Sequence, residues 1–147
     1  MKPLVGKSTI TIAAPRAELY AWISDGRRHV ELFPEEHYKD VEVLDAANGH
    51  LRFTFEMIGF SEKVELRLVE RREPEFLAEE GQDAHGVEQR NEWRFEPSGE
   101  AGGSTRVTVT STVQQELNPV VRKFAAQALG RVLRGELKNL KARATGR

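Results

Sequence analysis

Alternating apolar and polar residues run through most of this chain, and the alternation predicts β-strands. Side chains at alternate positions of a strand point to opposite faces, so each such segment has one sheltered and one solvated face. Asn48-Gly49 predicts a two-residue hairpin between the second and third strands. Seven segments are predicted as strands: KSTITIAA (7–14), HYKDVEVLDA (37–46), HLRFTFEMIG (50–59), SEKVELRLVERR (61–72), EFLAEEGQD (75–83), GVEQRNEWRFEP (86–97) and TRVTVTSTVQQE (105–116).

Helical segments stand near the start and at the end of the chain. APRAELYAWISDG (14–26) and DGRRHVELFP (25–34) predict two short helices after the first strand. Asn118 and Pro119 form a capping pair that begins a helix of about 25 residues, or roughly 37 Å. The face of this helix that we expect to be buried carries Val121, Phe124, Ala125, Ala128, Val132 and Leu133.

This order of elements predicts an α+β fold in which a seven-stranded antiparallel sheet has one apolar face. The C-terminal helix is the only element long enough to cover that face. Its middle is made of small residues, so either the helix packs closely or space remains between helix and sheet. The small residues are Ala125, Ala126, Ala128, Gly130 and Gly135.

Uncharged polar residues interrupt the sheltered face of the sheet. Gln89 and Asn91 share their face with Trp93, and Ser111 follows Val109 on the last strand. A buried amide without a partner costs on the order of 1–3 kcal/mol, so these side chains need water, one another or a ligand. We interpret them as the wall of a pocket. The alternative is that they lie at a strand end or a bulge, bonded to nearby backbone.

Composition narrows the functional classes. The chain has 147 residues, a length typical of one domain, and we expect residues 1–147 to form it. The formal net charge of -1 argues against a nucleic-acid partner. The absence of cysteine excludes disulfides and thiolate chemistry, and no apolar run is long enough for an integral membrane protein. We expect a cytoplasmic monomer or homodimer.

Candidate catalytic and metal-binding residues are few. His29 and His37 have Glu35 and Glu36 between them, but their spacing matches no known zinc arrangement, and we expect surface histidines and no metal or cofactor. Glu136 lies one turn beyond Val132, where we expect a rim residue paired with Arg or Lys.

Tyr20 on the first short helix is a second candidate. Its phenol would serve at a cavity mouth, although packing is the simpler role. No Ser-His-Asp order, phosphate-binding glycine loop or nucleotide-binding fingerprint is present in the sequence.

Residues 8–34 resemble the opening of START-like proteins (the SRPBCC superfamily) of the polyketide cyclase/dehydrase type. The superfamily includes the birch pollen allergen. The resemblance is carried by Ala14-Pro15, by the apolar and aromatic stretch 19–23, by Ser24-Asp25 and by Phe33-Pro34, and it extends over nearly all of the chain. It implies a helix-grip fold, with the sheet curled around the C-terminal helix and a hydrophobic cavity inside. The glycine-rich loop of the plant allergens is absent, and no aromatase/cyclase catalytic constellation can be matched residue by residue.

These observations favour a protein that binds a hydrophobic small molecule, such as a lipid, a quinone or a polyketide-like compound. One alternative is an aromatase/cyclase-like enzyme, which needs a titratable group inside the cavity. A second is a protein-interaction module, which predicts a filled core and an exposed apolar patch. The predicted ligand-binding residues are Phe53, Phe55, Met57, Leu66, Gln89, Asn91, Trp93, Val109, Ser111, Phe124 and Ala128.

Overall fold

Seven antiparallel strands and a long C-terminal helix make up the computed structural model, which describes residues 2–99 and 103–146. The predicted α+β helix-grip fold is confirmed, with two short helices after the first strand. In chain order the elements are β1 (Leu4–Ile12), α1 (Arg16–Ser24), α2 (Gly26–His29), a 3-10 turn (Val30–Leu32), β2 (Tyr38–Asp45), β3 (His50–Met57), β4 (Phe60–Arg72), β5 (Phe76–Asp83), β6 (Glu88–Ser98), β7 (Ser104–Val113) and α3 (Pro119–Thr145).

The sheet has the order β1-β7-β6-β5-β4-β3-β2, so the first strand joins the last and the remaining strands follow one another as a meander. Register places residues of different strands side by side on the inner face. Glu79 lies opposite Asn91, Asn91 opposite Ser111, and Ser111 opposite Gly6. A row of polar side chains therefore crosses three strands and ends at a glycine.

The β2–β3 hairpin lies where it is predicted, but its turn is longer. Residues 46–49 form a four-residue turn instead of a two-residue one. The Asp45 carboxylate accepts hydrogen bonds from Asn48 Nδ2 at 2.6 Å and from the Asn48 amide at 3.3 Å. Gly49 has φ 57°, a left-handed conformation that glycine adopts without steric cost. The Asp45 side chain thus closes a wider turn than the Asn-Gly pair alone requires.

Helix α3 begins as predicted. The Asn118 side chain accepts a 2.9 Å hydrogen bond from the Val121 amide, and Pro119 occupies the first turn. The helix packs closely on β1, because a Cβ built on Gly6 would lie only 2.6 Å from Leu129 Cγ. Space remains farther across the sheet, so both alternatives for the small-residue helix hold at different places. No helix among the described residues is long and apolar enough to cross a membrane.

The buried face of α3 differs from the predicted one. Val121 is 42% exposed and Phe124 is 66% exposed, while Ala128 is half-buried at the edge of the core. Phe124 lies on the same stripe as Arg131, which is exposed two turns later, so the placement of Phe124 inside was wrong. The observed inner stripe consists of Ala125, Leu129, Val132, Leu133, Glu136, Leu137 and Leu140.

Candidate functional site

A cavity lies between the inner face of the sheet and the middle of α3. The cavity has a volume of about 80 Å³. Its wall is mostly apolar. The apolar and aromatic lining residues are Leu4, Phe33, Tyr38, Phe53, Phe55, Met57, Phe60, Val64, Leu66, Val87, Trp93, Val109, Val113, Leu129 and Leu133.

Polar groups line one part of the same cavity. They are Glu62, Glu79, Asp83, Gln89, Asn91, Ser111, Gln115 and Glu136. Nine of the eleven sequence-predicted ligand-binding residues stand on this wall: Phe53, Phe55, Met57, Leu66, Gln89, Asn91, Trp93, Val109 and Ser111. Phe124 and Ala128 are not among the lining residues, because the inner stripe of α3 passes through Leu129, Leu133 and Glu136 instead.

The two amides form a hydrogen-bonded chain with their neighbours in the polar row. Gln89 Nε2 donates to Asn91 Oδ1 at 3.2 Å and, more weakly, to Ser111 Oγ at 3.5 Å. Asn91 Nδ2 in turn donates to Glu79 Oε1 at 3.0 Å. The amides therefore satisfy one another while still facing the cavity, and the chain of donors ends on the carboxylate of Glu79.

Glu79 is the unexpected member of this row. It is 3% exposed, and its second oxygen, Oε2, has no hydrogen-bond partner among residues 2–99 and 103–146. The nearest basic atom is Nδ1 of His29 at 3.9 Å, beyond hydrogen-bond length. Burial lowers the pKa of His29, although the charge of Glu79 opposes that shift, so the imidazole is neutral near pH 7. The indole Nε1 of Trp93 also lacks a hydrogen-bond partner within the part of the chain that the structure describes.

Glu136 faces the cavity from α3 and is 3% exposed. It accepts a 2.5 Å hydrogen bond from the hydroxyl of Tyr38 on β2. Burial raises the pKa of Glu136 to about 8, the Tyr38 hydrogen bond opposes this, and the negative charge of Glu79 adds to it. The side chain is therefore mostly a neutral carboxylic acid at pH 7.

An aromatic cluster fixes the position of Tyr38. Its ring stacks on Phe33 with centroids 4.1 Å apart, and it contacts Phe53 and Phe55 at 5.0 Å and 5.2 Å. Burial, together with the charge of Glu136, raises the pKa of Tyr38 well above its usual value. The phenol thus stays protonated and donates to Glu136.

Several sequence-based placements of titratable residues were wrong. His29 is 2% exposed instead of lying on the surface, because it packs edge-on against Phe33 and Trp93. Glu136 is not a rim residue paired with a cation, because its position on the inner stripe of α3 turns it toward Tyr38.

The other two candidate residues lie away from the cavity wall. Tyr20 packs against Phe95, with ring centroids 5.9 Å apart, and does not line the cavity. Nδ1 of the half-buried His37 is 2.8 Å from the backbone oxygen of Glu56. Neither residue therefore contributes to the site.

Sequence reasoning missed Glu79 and Tyr38. A signal for Glu79 exists, because Leu77 begins the inner phase of EFLAEE and Glu79 follows two residues later. Tyr38 follows Pro34 by four residues at the start of a strand that is largely exposed. Its hydroxyl contacts Glu136 of α3, 98 positions later in the chain, so no local pattern places it in the cavity.

Comparison with known proteins agrees with this architecture. A model of the family described as polyketide cyclase / dehydrase and lipid transport matches residues 5–145. The predicted resemblance is thereby confirmed. A search of the curated proteins gave no match.

Solved structures with the same fold cover nearly the whole chain. A START superfamily protein from Mycobacterium smegmatis is 22% identical over 97% of each chain, with a TM-score of 0.70. The Zhui aromatase/cyclase from Streptomyces sp. R1128 is 18% identical, over 96% of this chain and 93% of that one, with a TM-score of 0.72. A norcoclaurine synthase point mutant from Thalictrum flavum, solved with a transition-state analogue, is 12% identical over 99% and 98%, with a TM-score of 0.74. At these identities the likeness shows the fold alone.

Proposed function

Because the chain belongs to the polyketide cyclase/dehydrase and lipid transport family, we propose that it binds a hydrophobic small molecule between the sheet and α3. The observation that carries this proposal is a cavity with a mostly apolar wall, crossed by a hydrogen-bonded row of polar side chains from Ser111 to Glu79. Ligand sites commonly combine apolar walls with a small number of orienting polar groups. A lipid, quinone or polyketide-like molecule with an oxygen atom would also give Trp93 Nε1 its missing acceptor.

Native mass spectrometry of protein purified from its own host tests the proposal. We expect a stoichiometric apolar adduct, which extraction then identifies. Ser111→Leu places a larger side chain on the cavity wall. Because less room then remains for a ligand, this variant should abolish the adduct. Thr110→Leu, one residue earlier on the outer face of β7, is the matched control and should retain it. The proposal fails if the wild type carries no adduct and shows no thermal shift with lipids, quinones or polyketide-like aromatics.

A second function, acid–base catalysis on an enolisable substrate, is favoured by one specific observation. Glu136 is a buried acid that is mostly protonated at pH 7, and Glu79 Oε2 is an unpaired acceptor in the same cavity. General acid–base catalysis requires a proton donor and a proton acceptor that reach the same substrate. In the step we propose, Glu79 takes a proton from the carbon beside a ketone, and Glu136 gives its proton to the carbonyl oxygen. The product is a neutral enol.

Deuterium exchange measures this step directly. The α-protons of 2-tetralone in D₂O are followed by proton NMR, because each enolisation and return replaces hydrogen with deuterium. We expect the wild type to accelerate exchange above buffer, and Glu79→Gln to slow that exchange by about 10²-fold or more. Glu80→Gln changes the next residue of β5, whose side chain binds Arg90 on the outer face, and should leave the rate unchanged. Exchange at the buffer rate in the wild type would exclude catalysis on this ketone.

A further inference from the structure

Among the described residues, the side chains of charged type that line the cavity are all acidic. Four of its lining residues carry carboxyl groups: Glu62, Glu79, Asp83 and Glu136. Among residues 2–99 and 103–146, no Lys, Arg or His lines it. A cavity with walls of one charge sign attracts ligands of the opposite sign. This asymmetry contrasts with the chain as a whole, whose charges nearly cancel.

Two of the four carboxyl groups already have partners. Glu62 lies 3.4 Å from the exposed His85 imidazole. Asp83 Oδ1 accepts hydrogen bonds from the backbone amides of His85 and Val87. Both residues are half-exposed and belong to the outer part of the cavity. The other two carboxyl groups, those of Glu79 and Glu136, are buried, and Glu136 is mostly protonated at pH 7.

Within this pair, Glu79 is the carboxylate without a counter-charge. Its only hydrogen bond among the described residues comes from an uncharged amide, that of Asn91. Its free oxygen faces a neutral imidazole at 3.9 Å. A buried carboxylate without a cation is costly, and an ammonium group from a ligand would remove that cost.

We propose that the ligand is a hydrophobic amine whose ammonium group binds beside Glu79 Oε2, at the inner end of the cavity. This inference rests on the proposed function and adds the chemical class of the ligand. The aromatic residues Phe33, Tyr38 and Trp93 line the same cavity, and aromatic rings attract organic cations. The carboxyl of Glu136, which lines the same cavity, adds an oxygen acceptor.

Three probes of nearly equal size separate charge from shape: 2-phenylethylamine, 2-phenylethanol and phenylacetate. They are cationic, neutral and anionic at pH 7, and each has a single ring, which suits a small cavity. Binding to the wild-type protein is measured by calorimetry and by ligand-observed NMR. We expect the amine to bind at least about tenfold more tightly than the alcohol, and the anion to bind most weakly.

Variants locate the preference within the cavity. Glu79→Gln should reduce the preference of amine over alcohol by about fivefold or more while retaining the alcohol. Glu80→Gln, on the outer face of the same strand, should keep the full preference. The wild-type comparison needs no variant, so the test survives if Glu79→Gln fails to fold.

The outcomes distinguish this inference from the proposed function. Equal binding of amine and alcohol, or preference for phenylacetate, overturns the amine and leaves a hydrophobic-ligand pocket standing. Failure of all three probes at millimolar concentration also overturns the amine. In that case the host adduct decides separately whether the cavity binds any ligand.

Discussion

The hydroxyl of Tyr38 lies 2.5 Å from Oε1 of Glu136, although the two residues are 98 positions apart in the chain. The hydrogen bond joins the first residue of β2 to the inner stripe of α3. It spans the cavity wall at the place where sheet and helix meet. A titratable group is therefore buried in a contact between sheet and helix, so its protonation affects stability as well as chemistry.

Raising the pH should destabilise the protein through Glu136. Its pKa is about 8 when folded and 4.5 ordinarily, so between these values the folded chain binds more protons than the unfolded chain. The free energy of unfolding must then fall as the pH rises through this window. We expect a loss of about 1–2 kcal/mol between pH 7 and pH 9, measured by urea unfolding. His29 has a lowered pKa and acts at lower pH, so it does not contribute to this loss.

Glu136→Gln should abolish that loss, because the amide keeps the shape of the acid but cannot ionise. Glu116→Gln removes an exposed carboxylate just before α3 and should leave the fall intact. An unchanged slope in Glu136→Gln would mean that another group titrates in this range.

Replacing Asn91 should show how much the burial of the Glu79 carboxylate destabilises the fold. Asn91→Leu deletes the only hydrogen bond that Glu79 receives among the described residues, so we expect a loss of about 1–3 kcal/mol in the free energy of unfolding. Gln89→Leu removes bonds at 3.2 Å and 3.5 Å from a less buried residue and should cost less. The double variant Asn91→Leu/Glu79→Leu should recover much of the loss, since both polar partners are then gone. A double variant as unstable as the two single losses combined would contradict this account.

Two glycines at the β1–α3 contact predict opposite effects. Gly6→Ala places a Cβ 2.6 Å from Leu129 Cγ, which forces Leu129 or the helix to move and should cost about 1–3 kcal/mol. Gly130→Ala meets only the Lys7 carbonyl oxygen at 3.5 Å and gains helix propensity, so it should be neutral or stabilising by up to about 1 kcal/mol. Thermal unfolding of both variants checks the pair. Equal effects would show that β1 and α3 are not packed as described.

The sheet was predictable because its signals are local. Alternation fixes the inner phase of β3, β4, β6 and β7, and the Asn118-Pro119 pair fixes the start of α3. The site was less predictable, because its chemistry depends on which elements meet. From the sequence alone Glu136 is predicted to be a rim residue, because its partner Tyr38 lies on a distant strand, β2. His29 is predicted to lie on the surface, because the sequence does not show that Phe33 and Trp93 pack against it in the fold.

The third wrong prediction concerns the rotation of α3 about its axis. Apolar residues at the start of the helix cover a broad face, so they do not define which side is buried. Val120, Val121 and Phe124 are all apolar, and all are exposed. A prediction from their hydrophobicity therefore placed the wrong face of α3 inside. The contacts of Leu129 and of the buried residues after it determine which face is inside.

Paired alanine substitutions test that rotation. Phe53→Ala removes a ring that is 4% exposed and contacts both Phe33 and Tyr38, so we expect a loss of about 3–5 kcal/mol. Phe124→Ala removes a ring of the same chemistry that is 66% exposed, so the free energy of unfolding should change by no more than about 0.5 kcal/mol. Urea unfolding with a constant m-value measures both. A large loss for Phe124→Ala would return that ring to the interior and would require α3 to be rotated by about one residue, or 100°.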